Sequence, residues 1–420
     1  MLTRRKLLNG LAAGASLGLG GAAAWPGVAR ATSSALFGAS SLRNIHVVLE
    51  ESFWDPAPLT ATSLHESPID PRFAALWAAS GFTRALSPAF AGQTANAEFE
   101  ILCGFPLDRA SVKFEEGFND KIPALPHLLR EIGYRTVASH PNSPGFWNRQ
   151  VAYQKLGFET FWSLPDFLQD DMAGPFLSDK SLHAQVGDKL ASTDDGRPVL
   201  DYTVTFYGHW AYDASAFRPA VLDTHSRVDE VNAYVNTVHY KSKEMMDALA
   251  HIQASDPDSI IILFGDHLPI LGPKFAGYVE SGFLASTFGQ FTDDMYARST
   301  ATPLVIIDGR KGPLKLGNVP MYRIGRILLD LIAYDRPSML DLALPPSRSL
   351  KDTVLRPLPG VVVSYRPEGL DQARVTRPDQ PAHGASGDQD AEVVAWLQDV
   401  KLIAADIFDG RKYALKTLAI

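Results

Sequence analysis

The chain has 420 residues but a single cysteine, Cys103. A lone thiol excludes any intrachain disulfide, so packing and polar contacts must hold the fold. Excess positive charge is also missing. There are 39 lysines and arginines against 47 aspartates and glutamates, a formal net charge of -8. Such a surface disfavours nucleic acid and anionic bilayers as partners. Long apolar runs are scarce as well. Beyond residue 31, no stretch reaches the ~18 uncharged apolar residues of a membrane-crossing helix. No internal repeat is visible, which excludes solenoids and propellers.

What is present begins with a signal. Thr3-Arg4-Arg5-Lys6-Leu7-Leu8 is a twin-arginine pattern, and a Gly/Ala-rich run follows it. Ala29-Arg30-Ala31 then forms an A-x-A cleavage site. Residues 1–31 are therefore expected to be a signal peptide exported by the twin-arginine route. Its removal takes four basic residues and no acid, and leaves 35 basic against 47 acidic residues, a charge of -12. The mature chain is expected in the periplasm or otherwise outside the cytoplasm, without a stable membrane span.

The remainder alternates strand-like and helix-like segments. Apolar runs at 44–50, 135–140, 199–208, 259–266 and 303–308 read as strands. Helical spacing appears at 122–133, 228–252 and 321–333. This alternation predicts a three-layer α/β/α fold around a mostly parallel sheet, with the ligand site at the carboxyl ends of its strands. A domain over 32–350 would carry that site, and 351–420 would form a small C-terminal subdomain. Within the latter, polar 368–392 reads as a loop, followed by a terminal helix that stops at Gly410. The run "RALSPAF" before Ala91 also reads as a loop.

Chemistry is suggested at two of these strand ends. Glu50-Glu51 follows "IHVVL", and Asp266-His267 follows "SIIILFG". Carboxylate and imidazole donors suit Mn²⁺, Mg²⁺, Ca²⁺ or Zn²⁺. Polar residues also end strands in many α/β folds without holding a metal. Between them in sequence, Thr94 stands before a helix-like segment, "ANAEFEILCG". It reads as an N-cap, as a hydroxyl that metal coordination would activate as a nucleophile, or as both, since the two roles are compatible.

The motifs "VVLEESFWDP", "GQTANAEFEILCGFP", "FWNR", "GFETFW", "FYGHWAYD" and "FGDHLP" occur in this order over roughly residues 44–335. Together they resemble the lipoteichoic acid synthase and phosphoglycerol transferase family, a branch of the sulfatase and alkaline phosphatase superfamily. The resemblance implies an alkaline-phosphatase/sulfatase-like fold. It implies that Glu51, Thr94, Asp266 and His267 bind one divalent ion, usually Mn²⁺, with Thr94 as the catalytic nucleophile. The triplet Glu51-Ser52-Phe53 matches the family, and period two sends the Glu50 side chain to the other strand face. Trp147 and Arg149 would contact the glycerophosphate group, and His209 would donate to the phosphate or protonate the leaving alcohol. His140 and Asn142 would complete the pocket.

The resemblance implies transfer of a phosphoglycerol or related head group from a phospholipid-type donor, through a covalent phosphothreonine, to a glycan or other alcohol. Two alternatives remain on the sequence alone. One is a phosphodiesterase or sulfatase-like hydrolase with the same site; the other is a non-catalytic glycan- or head-group-binding protein. A formylglycine sulfatase is disfavoured. That modification needs C-x-P-x-R, and in "CGFPLDR" Pro106 stands three residues after Cys103, one too far. Cys103 is expected to be a buried helix residue.

Overall fold

The computed structural model describes residues 42–212, 214–345, 350, 353–379 and 385–417, so the expected signal at 1–31 lies outside it. The strands in chain order are β1 Ile45–Glu50, β2 Arg84–Leu86, β3 Arg135–Ser139, β4 Thr160–Trp162, β5 Met172–Ala173, β6 Phe176–Leu177 and β7 Val199–Val204. They continue with β8 Ile260–Gly265, β9 Ala301–Asp308, β10 Gly312–Pro313, β11 Asn318–Pro320, β12 Val354–Leu358, β13 Val361–Tyr365 and β14 Arg374–Thr376. The large sheet runs β11-β2-β9-β8-β1-β7-β3-β4, with β10 added beside β9. Pairings at β1/β7, β1/β8, β3/β7, β3/β4 and β2/β11 are parallel, whereas β9 runs against both β8 and β2.

The central strands are apolar along their length because helices cover both faces of the sheet. Every residue of β1, β7 and β8 is buried. Alternation along β1 feeds two cores. Val47 and Leu49 join the helix Thr94–Cys103 on one face, while Val48 joins the helix Asp229–Ser255 on the other. Register aligns the strand ends, with Leu49 beside both Val204 and Phe264, and Glu50 beside Gly265. The residues that follow these three strands therefore emerge together at the carboxyl edge. Gly265 is required there, since a Cβ would sit 1.9 Å from the Phe53 carbonyl oxygen.

Two loop readings are corrected. "RALSPAF" contains β2, whose Ala85 and Leu86 are fully buried between β9 and β11. The polar stretch 368–392 contains β14, paired with β13, and the start of the helix Ala385–Phe408. Its polarity reflects solvent-facing positions, while Val393, Trp396, Leu397 and Val400 of that helix enter the core of the large sheet. The same region is tied in electrostatically. Arg356 of β12 forms a fully buried pair with Glu100 of the 94–103 helix. Among the described residues, no helix is long and apolar enough to cross a membrane.

The amino-terminal half of β1 carries a pH-sensitive pair. His46 Nδ1 lies 2.9 Å from Asp201, and its Nε2 lies 3.9 Å from Asp256. Burial alone would lower the imidazole pKa, but the two carboxylates outweigh it and raise it from 6.5 to about 9. The folded value exceeds the unfolded one. This contribution is therefore complete below pH 6.5 and is lost as pH rises through about 9. We expect wild-type stability to fall by at most about 3 kcal/mol across that window from this group. His46→Gln should start lower and lack the decline, which denaturant titrations at several pH values would show.

Candidate active site

Glu51 follows β1 directly and is buried at 3% exposure. Its Oε2 accepts a hydrogen bond from the Thr94 hydroxyl at 3.1 Å, and its Oε1 accepts from Ser52 Oγ at 2.8 Å. Asp266 follows β8. Its Oδ1 accepts from the Ser52 and His267 amides at 2.7 and 2.9 Å. Its Oδ2 has no hydrogen-bond partner and lies 3.2 Å from His267 Nε2. His267 Nδ1 is 3.0 Å from the Leu268 carbonyl oxygen, which can only accept, so Nδ1 carries the proton. Nε2 is buried and has no hydrogen-bond partner.

One ligand atom each from Glu51, Asp266 and His267 lies within 4.8 Å of the others. Burial and the Glu51 charge push the Asp266 carboxyl up to about 6, against the opposing effect of His267. Two buried acids, an orphaned carboxylate oxygen and an orphaned imidazole nitrogen together form a donor set suited to a divalent cation. The Thr94 hydroxyl, already on Glu51, faces the same point. These residues fit the metal that the sequence led us to expect.

Thr94 itself is the first residue of its helix, and Gln93 is the N-cap, with no side-chain capping bond. The N-cap reading of Thr94 is thereby overturned: its hydroxyl is aimed at Glu51 instead of at a helix amide. Ala91, Gly92 and Gln93 all have positive φ, at 57°, 134° and 64°. Ser52, Trp147 and Asn148 share that conformation. For each non-glycine residue the cost is on the order of 1 kcal/mol, and such strain gathers where function fixes the backbone.

Glu50 points away from this centre, as period two requires. It lies 2.7 Å from Lys241 Nζ, which also reaches Asp179 at 2.7 Å, the Tyr207 carbonyl at 2.8 Å and Thr205 Oγ1 at 2.9 Å. Thr205 Oγ1 in turn accepts from the Glu51 amide at 2.9 Å. One buried ammonium thus ties the ends of β1 and β7. The sequence reading missed Lys241 and Asp179, because nothing in a helical stripe marks a lysine as buried.

Of the expected substrate-side residues, Arg149 lies within electrostatic reach of Glu51, and His140 within that of Arg149 and His209. His140 follows β3. Its Nδ1 donates to the Val204 carbonyl at 3.1 Å, while Nε2 is buried without a partner. Burial, then the charge of Arg149 and the nearby His209, hold its pKa well below the ordinary value, so it is neutral. His209 is half-buried, gives Nδ1–H to the Trp210 carbonyl at 2.7 Å, and packs on Phe206. Asn142 spends its Oδ1 on the neighbouring Ser143 amide at 2.7 Å. Trp147 is half-buried, with its ring packed against the main core.

Arg149 is buried, and its Nε and Nη2 donate to Glu98 Oε1 at 3.0 and 2.7 Å. Burial opposes its charge, but Glu98, with a contribution from Glu51, more than restores it and leaves the pKa raised. Tyr153 also bonds Glu98. Glu98 lies one turn after Thr94 and was not anticipated; an acid inside a wholly buried helix is the signal that marks it. We expect Arg149→Met to cost about 3–5 kcal/mol by stranding the Glu98 charge. Arg149→Met combined with Glu98→Met should recover much of that loss in denaturant titrations.

Cys103 ends the Thr94–Cys103 helix fully buried, its thiol pKa pushed well up by burial. It has neither the exposure nor the thiolate character of a reactive site.

Comparison with known proteins gives these observations a context. A family model described as Sulfatase matches residues 43–315. A putative cyclic beta-1,2-glucan modification protein of Rhizobium meliloti (strain 1021) is 32% identical over 305 residues, covering 70% of this chain and 46% of the relative. The lipoteichoic acid synthase of Staphylococcus saprophyticus is 24% identical over 186 residues, 43% of this chain and 28% of the relative. The chain therefore spans less than half the length of these curated relatives. Among solved structures, the lipoteichoic acid synthase LtaP from Listeria monocytogenes superposes with a TM-score of 0.68 at 18% identity, covering 91% of this chain and 97% of that one. The Streptococcus pyogenes phosphoglycerol transferase GacH, solved with sn-glycerol-1-phosphate, gives 0.63 at 17% identity, covering 98% and 94%. These structural likenesses establish the alkaline-phosphatase/sulfatase-like fold.

Proposed function

The chain belongs to the sulfatase family, and we propose that it is an extracytoplasmic transferase that moves a phosphoglycerol or related phosphodiester head group onto a glycan. One observation carries this reading: the Thr94 hydroxyl converges with Glu51, Asp266 and His267 on a point where Asp266 Oδ2 and His267 Nε2 have no protein partner. The relative described as modifying cyclic beta-1,2-glucan supports a glycan as acceptor.

In the first half-reaction Thr94 Oγ1 forms a bond to the donor phosphorus, and its proton passes to Glu51 Oε2, which already accepts it. The bond from phosphorus to the donor alcohol breaks, and His209 supplies that alcohol with a proton from Nε2. A phosphothreonine diester remains. In the second half-reaction an acceptor hydroxyl attacks phosphorus and gives its proton to His209 Nε2, the bond from phosphorus to Thr94 Oγ1 breaks, and Glu51 returns the first proton to that oxygen. A divalent ion, Mn²⁺ by the family resemblance, would be held by Glu51, Thr94, Asp266 and His267. It would lower the hydroxyl pKa and offset phosphoryl charge. The first turn of the 94–103 helix adds its positive dipole end. Arg149 and neutral His140 would contact the phosphate, and Trp147 and Asn142 the rest of the head group.

The test is to incubate the protein with head-group-labelled phosphatidylglycerol and a neutral glucan. Label is expected on the glucan. Label released only as free glycerophosphate would contradict transfer and establish a hydrolase. Arg149→Lys should keep the Glu98 pair yet lose most turnover, since the planar fork is gone; unchanged turnover would limit Arg149 to a structural role.

A further inference from the structure

We propose that the cavity between residues 214–224 and the first turns of the 229–255 helix is the acceptor subsite, and that it takes a neutral oligosaccharide. This rests on the transferase reading above. The cavity measures about 400 Å³ and is lined by Tyr207, Tyr212, Arg218, Asp223, Asp229 and Tyr240, among others. That volume lies within the usual range for a small-ligand site.

Its position links it to the threonine centre. Tyr207 and Tyr212 bracket His209 in sequence. The Tyr212 hydroxyl accepts from the Ile270 amide at 3.0 Å, four residues beyond Asp266. The Tyr212 ring packs against Tyr234 at 5.2 Å, and the Tyr234 hydroxyl donates at 2.8 Å to the carbonyl of Ser52, the residue after Glu51. One wall of the cavity therefore backs onto the proposed metal site.

Its chemistry selects a neutral polyol. Arg218 is the one arginine in the lining, and its guanidinium is saturated by Glu244 at 2.7 Å and Asp171 at 2.9 Å. Asp223 and Asp229 have no cationic partner among the described residues. The free charge in the cavity is negative, which repels phosphate, nucleotides and anionic lipid head groups. Carboxylates accept strong hydrogen bonds from sugar hydroxyls, and the half-buried Tyr240 offers ring surface to the C–H face of a sugar. The Tyr207 hydroxyl is a donor with no partner among the described residues, although the residue is only 5% exposed. On the same loop, Trp210 and Phe217 are 49% and 77% exposed, apolar surface against which further sugar units can stack.

The experiment is equilibrium titration of neutral β-linked gluco-oligosaccharides into the metal-loaded protein, with no donor present. The wild type is expected to bind at least one of them. Asp223→Asn and Tyr207→Phe should each weaken that binding by about tenfold. Tyr207→Phe should melt like the wild type, because the hydroxyl it removes has no protein partner. In transfer assays the same variants should raise the acceptor KM by a similar factor. Absence of wild-type binding to every oligosaccharide, or unchanged affinity in both variants, overturns the proposal. So does displacement of a bound sugar by phosphatidylglycerol vesicles, which would make the cavity a donor site. If the sugar binds as expected and donor is never cleaved, the subsite stands and the transferase reading fails.

Discussion

Replacing Thr94 with alanine is expected to cut donor cleavage by at least about 10³-fold while leaving the melting temperature nearly unchanged. The structure separates these two effects. Gln93, not Thr94, is the N-cap, so the substitution removes no helix cap. The lost hydrogen bond to Glu51 Oε2 is worth about 1 kcal/mol, and Glu51 still accepts from Ser52 Oγ at 2.8 Å. Alanine is also a better helix former than threonine. Any large loss of turnover must then come from the hydroxyl itself. Thr94→Ser keeps that hydroxyl and should retain partial activity. Comparable activity in the alanine variant, measured with melting temperature on one preparation, would move the nucleophile elsewhere.

Chelation of divalent metal should produce a loss of similar size, reversed by adding Mn²⁺. Asp266→Asn should reproduce it permanently. Asparagine preserves the carbonyl oxygen that receives the Ser52 and His267 amides, so the loop keeps its shape. It places a neutral amide where the unpartnered Oδ2 stood. Metal bound at about 100-fold its Kd stabilises a protein by about 2.7 kcal/mol. The wild type should therefore melt higher when Mn²⁺ is added, and Asp266→Asn should not. This thermal shift reads the site without any substrate. A metal-dependent shift that survives in the variant would place the ion at other ligands.

The parts of this molecule that were legible in sequence share a physical reason. Strands β1, β7, β8 and β9 are buried on both faces, so they read as plain apolar runs, and the acids at two of their ends could be named by number. Choosing Glu51 over Glu50 needed only the period of a strand and the "ESF" triplet. Short elements were not legible. Strand β2 has three residues, too few for any period, and its place between β9 and β11 is set by partners far away in sequence. The reversal of β9 is likewise a property of the chain path and not of the residues in it. Local polarity misled at 368–392, where tertiary packing forms a helix in which Asp388 and Gln389 face solvent and Asp390 is buried. Buried charges were the other blind spot. Lys241 and Arg356 each look like ordinary surface residues until the acid that compensates them is in view.

Peptide mapping by mass spectrometry, after incubation with phosphatidylglycerol and rapid acid quenching, tests the covalent pathway most directly. The account predicts a fraction of the protein carrying one glycerophosphoryl group, located on Thr94. That adduct should be absent from Thr94→Ala and should disappear when a glycan acceptor is added before the quench. A glycerophosphoryl adduct on another residue, or donor turnover with no adduct under any quench condition, would contradict it.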